Sequence, residues 1–133
     1  MLRRALSGAF AVAVAGLVTA AVPAAGVSAH SRAASDYDDV AAAIVDFDGK
    51  LNNGRNVITS WRAGVGRYCV QLAPKVDAAR SLIQVTPRVA RRVPYIAYRN
   101  PSETCSRHNT LTIAVYEIQT GRLADSGFDL LVL

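Results

Sequence analysis

The chain has 133 residues, 51% of them hydrophobic, with 15 basic against 10 acidic side chains and a formal net charge of +5. That length leaves room for one domain. Past the N-terminal stretch, no second apolar span long enough to cross a bilayer occurs.

Residues 1–29, MLRRALSGAFAVAVAGLVTAAVPAAGVSA, begin with the charged pair Arg3 and Arg4 and continue in a charge-free Ala/Val/Leu run. They end in Val27-Ser28-Ala29, with small residues where a signal peptidase reads, which is the layout of a secretory signal peptide with an apolar helix at its centre. The run approaches the length of a membrane span. Its Gly and Ala content, the break at Pro23 and the cleavage-like end favour removal over a retained anchor, and no LPxTG-type sorting signal follows. The expectation is a secreted, extracellular product from His30 to Leu133, with no stable membrane insertion after cleavage. The loss of Arg3 and Arg4 lowers its net charge to +3.

Residues 30–36 (HSRAASD) are small and polar and read as a disordered lead-in. From residue 37 to 133 the pattern is one of short strands and turns. VAAAIVDF (40–47) reaches Asp48-Gly49, a favoured two-residue hairpin turn, and Asn52-Asn53-Gly54 is a second turn signal close behind. NVITSWR (56–62) alternates weakly until Ala63-Gly64-Val65-Gly66 breaks it. RYCVQL (67–72) puts Tyr68, Val70 and Leu72 on one face. VDAARSL (76–82) could wind one helical turn. SLIQVT (81–86) is closed by Pro87, and VPYIAYR (93–99) is stopped by Asn100-Pro101. TLTIAVYEI (110–118) has the cleanest period of two: Leu111, Ile113 and Val115 oppose Thr110, Thr112, Ala114 and Tyr116. After a turn at Thr120-Gly121-Arg122, GFDLLVL (127–133) is a last strand, too apolar to be a free tail. About seven short antiparallel strands without sustained helical periodicity predict an all-β domain, a β-sandwich or small barrel, with mixed α/β as the alternative.

Two cysteines, Cys69 and Cys105, both follow the leader. In an oxidising compartment an even pair is most economically a disulfide. The loop it would close spans about 36 residues, worth roughly 3.5–4 kcal/mol in the chain-entropy model. Strand parity puts Cys69 with Arg67 and Gln71 on the face away from the core. Cys105 lies in NPSETCSRHN (100–109), which has no strand pattern. The pair should therefore strap a long loop over the outer side or edge of a sheet.

Motifs for chemistry are sparse. Asp46-Phe47-Asp48-Gly49 with Asn52 lacks the ligand spacing and terminal Glu of a calcium loop, and the hairpin explains the same residues. Cys69, Cys105 and His108 lack paired zinc spacing. Hydrolase chemistry would fall to His108, the one histidine of the folded part, without a GxSxG context. Neither metal nor cofactor is expected, and the protein reads as a non-enzyme.

Charge is the one uneven feature. Residues 80–107 carry Arg80, Arg88, Arg91, Arg92, Arg99 and Arg107 against Glu103 alone, with Tyr95 and Tyr98 among them. Arginine forks and aromatic faces suit anionic polymers, whereas a solvated basic edge that discourages strand aggregation needs the same arginines. The candidate binding residues are Arg88, Arg91, Arg92, Tyr95, Tyr98 and Arg99, with the 100–109 loop beside them as the rest of the expected contact surface. An anionic cell-envelope polymer or glycan is the expected partner. Nucleic acid is not expected, since no recognised binding motif is present.

Gly66-Arg67-Tyr68-Cys69-Val70, a second cysteine about 35 residues on, and Asp125-Ser126-Gly127-Phe128-Asp129-Leu130 resemble a group of small exported proteins of high-GC Gram-positive bacteria. That group has a G-x-Y-C-V … C … F-x-L-x-V pattern, and the likeness covers about Ala41 to Leu133. It implies a compact β domain with paired cysteines and brings no activity with it. Three functions remain to be separated: an extracellular binding module, a small secreted hydrolase using His108, and a self-assembling surface protein.

Overall fold

The structure, a computed structural model, describes residues 38–133. The predicted leader (1–29) and lead-in (30–36) lie outside them. Eight antiparallel strands form two four-stranded sheets: β1 (Ala41–Val45), β2 (Leu51–Arg55), β3 (Val57–Gly64), β4 (Arg67–Leu72), β5 (Ile83–Pro87), β6 (Arg92–Tyr98), β7 (Thr110–Glu117) and β8 (Phe128–Val132). One sheet has the order β2-β1-β8-β5 and the other β3-β4-β7-β6. They face each other as a sandwich. No described residue is helical, and 73–82 forms turns in which Asp77 Oδ1 accepts from the Ala79 and Arg80 amides.

Alternation decides what is inside. Ala41, Ala43 and Val45 of β1 join Phe128, Leu130 and Val132 of β8 on one inner face, and Tyr68, Val70 and Leu72 of β4 join Leu111, Ile113 and Val115 of β7 on the other. The two faces close over one apolar core, the main favourable term in folding. At its centre the Tyr68 and Phe128 rings meet edge to face, with centroids 5.4 Å apart.

The eighth strand is the one the sequence hides. LNNGR pairs with β1 in the register Ala42↔Arg55, Ala43↔Gly54 and Ile44↔Asn53, where Asn52-Asn53-Gly54 had signalled a turn. β2 is an edge strand with four exposed positions, so polar residues carry no penalty there. The turn lies wholly within 46–50, where the Gly49 amide donates to Asp46 O and the Asp46 amide to Lys50 O. Gly49 has φ +87°, and a Cβ on it would sit 2.1 Å from the Arg62 amide nitrogen, so only glycine lets this turn lie against β3. Pro94 sits in β6, an edge strand that tolerates a missing ladder donor.

Odd-numbered strands run one way and even-numbered strands return. The β1–β2, β3–β4, β5–β6 and β7–β8 connections therefore share one end of the sandwich, called here the turn end.

Candidate functional site

Cys69 and Cys105 are disulfide-bonded, with Cα atoms 5.6 Å apart. Such a bond forms in an oxidising compartment, unlike the reduced cytosol. Cys69 points away from the core, as its strand parity requires, yet it is fully buried. What buries it is the 99–109 segment, which crosses the outer face of the second sheet as a strap. Ser102 Oγ meets Thr112 Oγ1 of β7 at 2.8 Å and accepts from the Cys105 amide. Cys105 is bonded to β4. The Arg107 guanidinium lies 4.6 Å from the centroid of the Trp61 ring on β3, a cation–π contact. At the far end Asn109 adopts φ +53° and its amide group donates to Leu72, Ala73 and Val76 carbonyls. Asparagine is among the few side chains that tolerate that backbone region.

The strap explains β7, whose residues from Thr110 to Val115 are buried on both faces. It also walls a groove. Beside it, on the uncovered part of the outer face, lies a concavity of about 700 Å³ lined by Arg67 of β4, Tyr95 and Tyr98 of β6, Tyr116 of β7 and Glu103 of the strap. Tyr95 and Tyr116 stack at 5.3 Å and 18°, and their hydroxyls are 3.1 Å apart. That hydrogen bond is the main reason the Tyr95 hydroxyl titrates above its ordinary 10.0, while the nearby Arg67 charge pulls the other way. Tyr98 is 60% exposed. The groove thus offers flat aromatic faces, hydroxyls, one cation and one carboxylate.

The six residues singled out from the 88–99 segment are divided between regions. Tyr95 and Tyr98 line the groove. Arg88 bonds Asp46 at 3.0 Å, and Arg92 pairs with Glu117; both face a second concavity at the turn end. Arg91 is exposed in the β5–β6 turn, and Arg99 donates to Ser81 O at 2.9 Å. Arg67 and Tyr116 are groove residues that the charge count passed over, whereas Glu103 entered it as the lone acidic residue. Parity could have found both: Arg67 shares the outward face of Cys69, and Tyr116 that of Thr112.

The residues that carry the family-like motif converge elsewhere. Asp125 takes a bidentate bond from Arg62 (2.9 and 2.8 Å), a third from the Gly66 amide (2.8 Å) and a fourth from Tyr68 Oη (3.2 Å). Tyr68 Oη lies 2.8 Å from Phe47 O and accepts from the Ser126 amide. Burial pushes the Tyr68 hydroxyl up to about 12, and the Asp125 charge adds to this. Gly66, with φ +62°, brings its Cα against Ala124 and Val115 backbone, where a Cβ would lie 2.6 Å from Val115 O. G-x-Y-C and D-S-G-F are thus two halves of one structural clasp.

His108 is exposed, and its imidazole has no hydrogen-bond or ion-pair partner among the described residues; only its carbonyl is engaged, by Gln71 and Thr110. Asp46 is occupied by Arg88 and Asn52, and no group of three or more potential metal ligands occurs among the described residues. No helix among them is long and apolar enough to cross a membrane. No protein-family model, curated protein or solved structure matches the chain.

Proposed function

We propose that the protein is an exported, non-enzymatic binding domain whose groove beside the strap takes an acidic glycan or related anionic polymer of the cell envelope. The observation that carries this reading is the convergence of Tyr95, Tyr98, Tyr116 and Arg67 in one concavity whose wall is covalently fixed. Tyrosine supplies a large rigid contact at little entropic cost. Its flat face suits a sugar ring, while the Arg67 fork suits a carboxylate or phosphate on the same chain. Glu103 on the strap is placed to accept from sugar hydroxyls. A wall held by a disulfide pays less ordering entropy on binding than a free loop. Export is supported by the leader-like N-terminus and by the disulfide. The resemblance to small exported proteins points the same way.

The test is retention on immobilised polygalacturonate and on lipoteichoic acid at graded salt. The wild-type protein is expected to bind at low ionic strength and elute as salt screens the charge. Arg67→Ala and Tyr98→Ala should each weaken binding roughly tenfold, the scale of a central aromatic or arginine contact, while Arg80→Ala should leave it unchanged. Equal retention of all four proteins, or none, would refute the reading.

A further inference from the structure

The turn end of the sandwich carries an exposed apolar side chain on every one of its loops. Phe47 stands on the β1–β2 turn (68% exposed), Val65 on β3–β4 (56%), Val89 on β5–β6 (52%) and Ile118 at the start of the β7–β8 connection (58%). Isolated apolar residues on a surface are ordinary. Four of them, one per loop, at one end of a two-sheet fold are a pattern. At the opposite end the exposed Leu82 and Leu133 share a single corner, joined by reciprocal backbone bonds, while the exposed Ile58 and Tyr98 belong to strands β3 and β6 and not to loops.

The loops are held as a set. Gly66 O accepts from the Val115 amide, and Arg91 O accepts from the Ile118 amide. Phe47 and Val89 border one concavity of about 530 Å³ together with Arg88 and Arg92.

Charge at this end is ordered as well. Each carboxylate is matched: Asp46 and Asp129 with Arg88, Asp48 with Lys50, Glu117 with Arg92, and Asp125 with Arg62. Arg91 and Arg122 have no carboxylate partner among the described residues. Their backbones flank Ile118, since Arg91 O accepts from Ile118 N and Arg122 O from Glu117 N. The charges at this end left without a partner are therefore positive, beside an apolar tip.

We infer that the turn end rests reversibly on an anionic phospholipid surface. Phe47, Val65, Val89 and Ile118 enter the headgroup boundary, and Arg91 and Arg122 meet lipid phosphates. Apolar side chains at loop tips gain free energy at the boundary in proportion to the area they bury, and adjacent basic residues add attraction to acidic headgroups. The contact is peripheral and spans nothing. It does not depend on the groove, which lies on the side of the sandwich and would stay open to polymer.

The test uses protein recovered from the medium of cells that secrete the full chain, sedimented with vesicles of phosphatidylglycerol and phosphatidylcholine or of phosphatidylcholine alone. Wild-type protein is expected to sediment with the acidic vesicles and to be released by salt. Phe47→Ser combined with Val89→Ser should lower that binding roughly tenfold or more, since each exchange removes an apolar group of this size from the boundary. Arg91→Glu combined with Arg122→Glu should abolish the preference for acidic vesicles. Both variants should keep the wild-type melting temperature, because the exchanged side chains are exposed. Tyr98→Ala should sediment as wild type, so failure of the groove reading would leave this result intact. Absence of wild-type binding, equal binding to both vesicle types, or undiminished binding by the two double variants would overturn the inference; the last would also expose binding driven by an uncleaved leader.

Discussion

Tyr68 is the side chain on which most of the molecule converges. Its ring belongs to the core, while its hydroxyl lies beside Phe47 O and the Asp125 carboxylate and takes the Ser126 amide. Tyr68→Phe keeps the ring and strands that buried amide, so it should cost about 1–3 kcal/mol, read as a lower urea midpoint at unchanged slope. Asp125 gives the clasp its pH dependence. The Arg62 guanidinium, helped by the Gly66 amide and the Tyr68 hydroxyl and opposed by partial burial, holds its carboxyl below the ordinary 3.8. A group depressed in the folded state stabilises fully above its unfolded value, and that contribution is lost as pH falls below it. Below pH 3.8, Asp125→Asn should therefore lose stability with acid less steeply than wild type. Parallel slopes would show that Asp125 has no part in acid unfolding.

At the scale of elements, the strap is the part whose removal should change both stability and binding. It crosses β7, β4 and β3 through Ser102, Cys105 and Arg107 and closes a loop of 36 residues. Replacing both cysteines with serine should cost roughly 3–4 kcal/mol in the chain-entropy model. Limited proteolysis should then cut first between 99 and 109, because an exposed segment without its covalent tie opens locally before the sheets do. The outward direction of Cys69 was legible from two-residue parity alone, as were the cores of β4 and β7. β2 was not legible. Asn52, Asn53 and Gly54 have turn chemistry, and only pairing with β1 makes them a strand, so the information lay in a neighbour and not in the segment. The groove was half legible. Tyr95, Tyr98 and the loop that carries Glu103 stood out, but Arg67 and Tyr116 come from other strands, and only the sheet pairing and the strap's path bring them together. Within the charge run at 88–99, Arg88 and Arg92 find Asp46 and Glu117, which lie far off in sequence and could not be paired with them from the segment alone.

For the whole molecule, the arrangement separates tasks. The clasp around Tyr68 and Asp125 binds the sheets at the turn end, the disulfide fixes a wall on one outer face, and the groove lies between that wall and the stacked tyrosines. This groove, and not the basic β5–β6 turn, is the proposed binding surface. Amide chemical-shift mapping of the isotopically labelled protein with a soluble oligogalacturonate tests it most directly. Shifts should be confined to Arg67, Tyr95, Tyr98, Glu103, Thr112 and Tyr116 and their immediate neighbours. Shifts centred on Arg88, Arg91 and Arg92, with the groove amides unmoved, would contradict it.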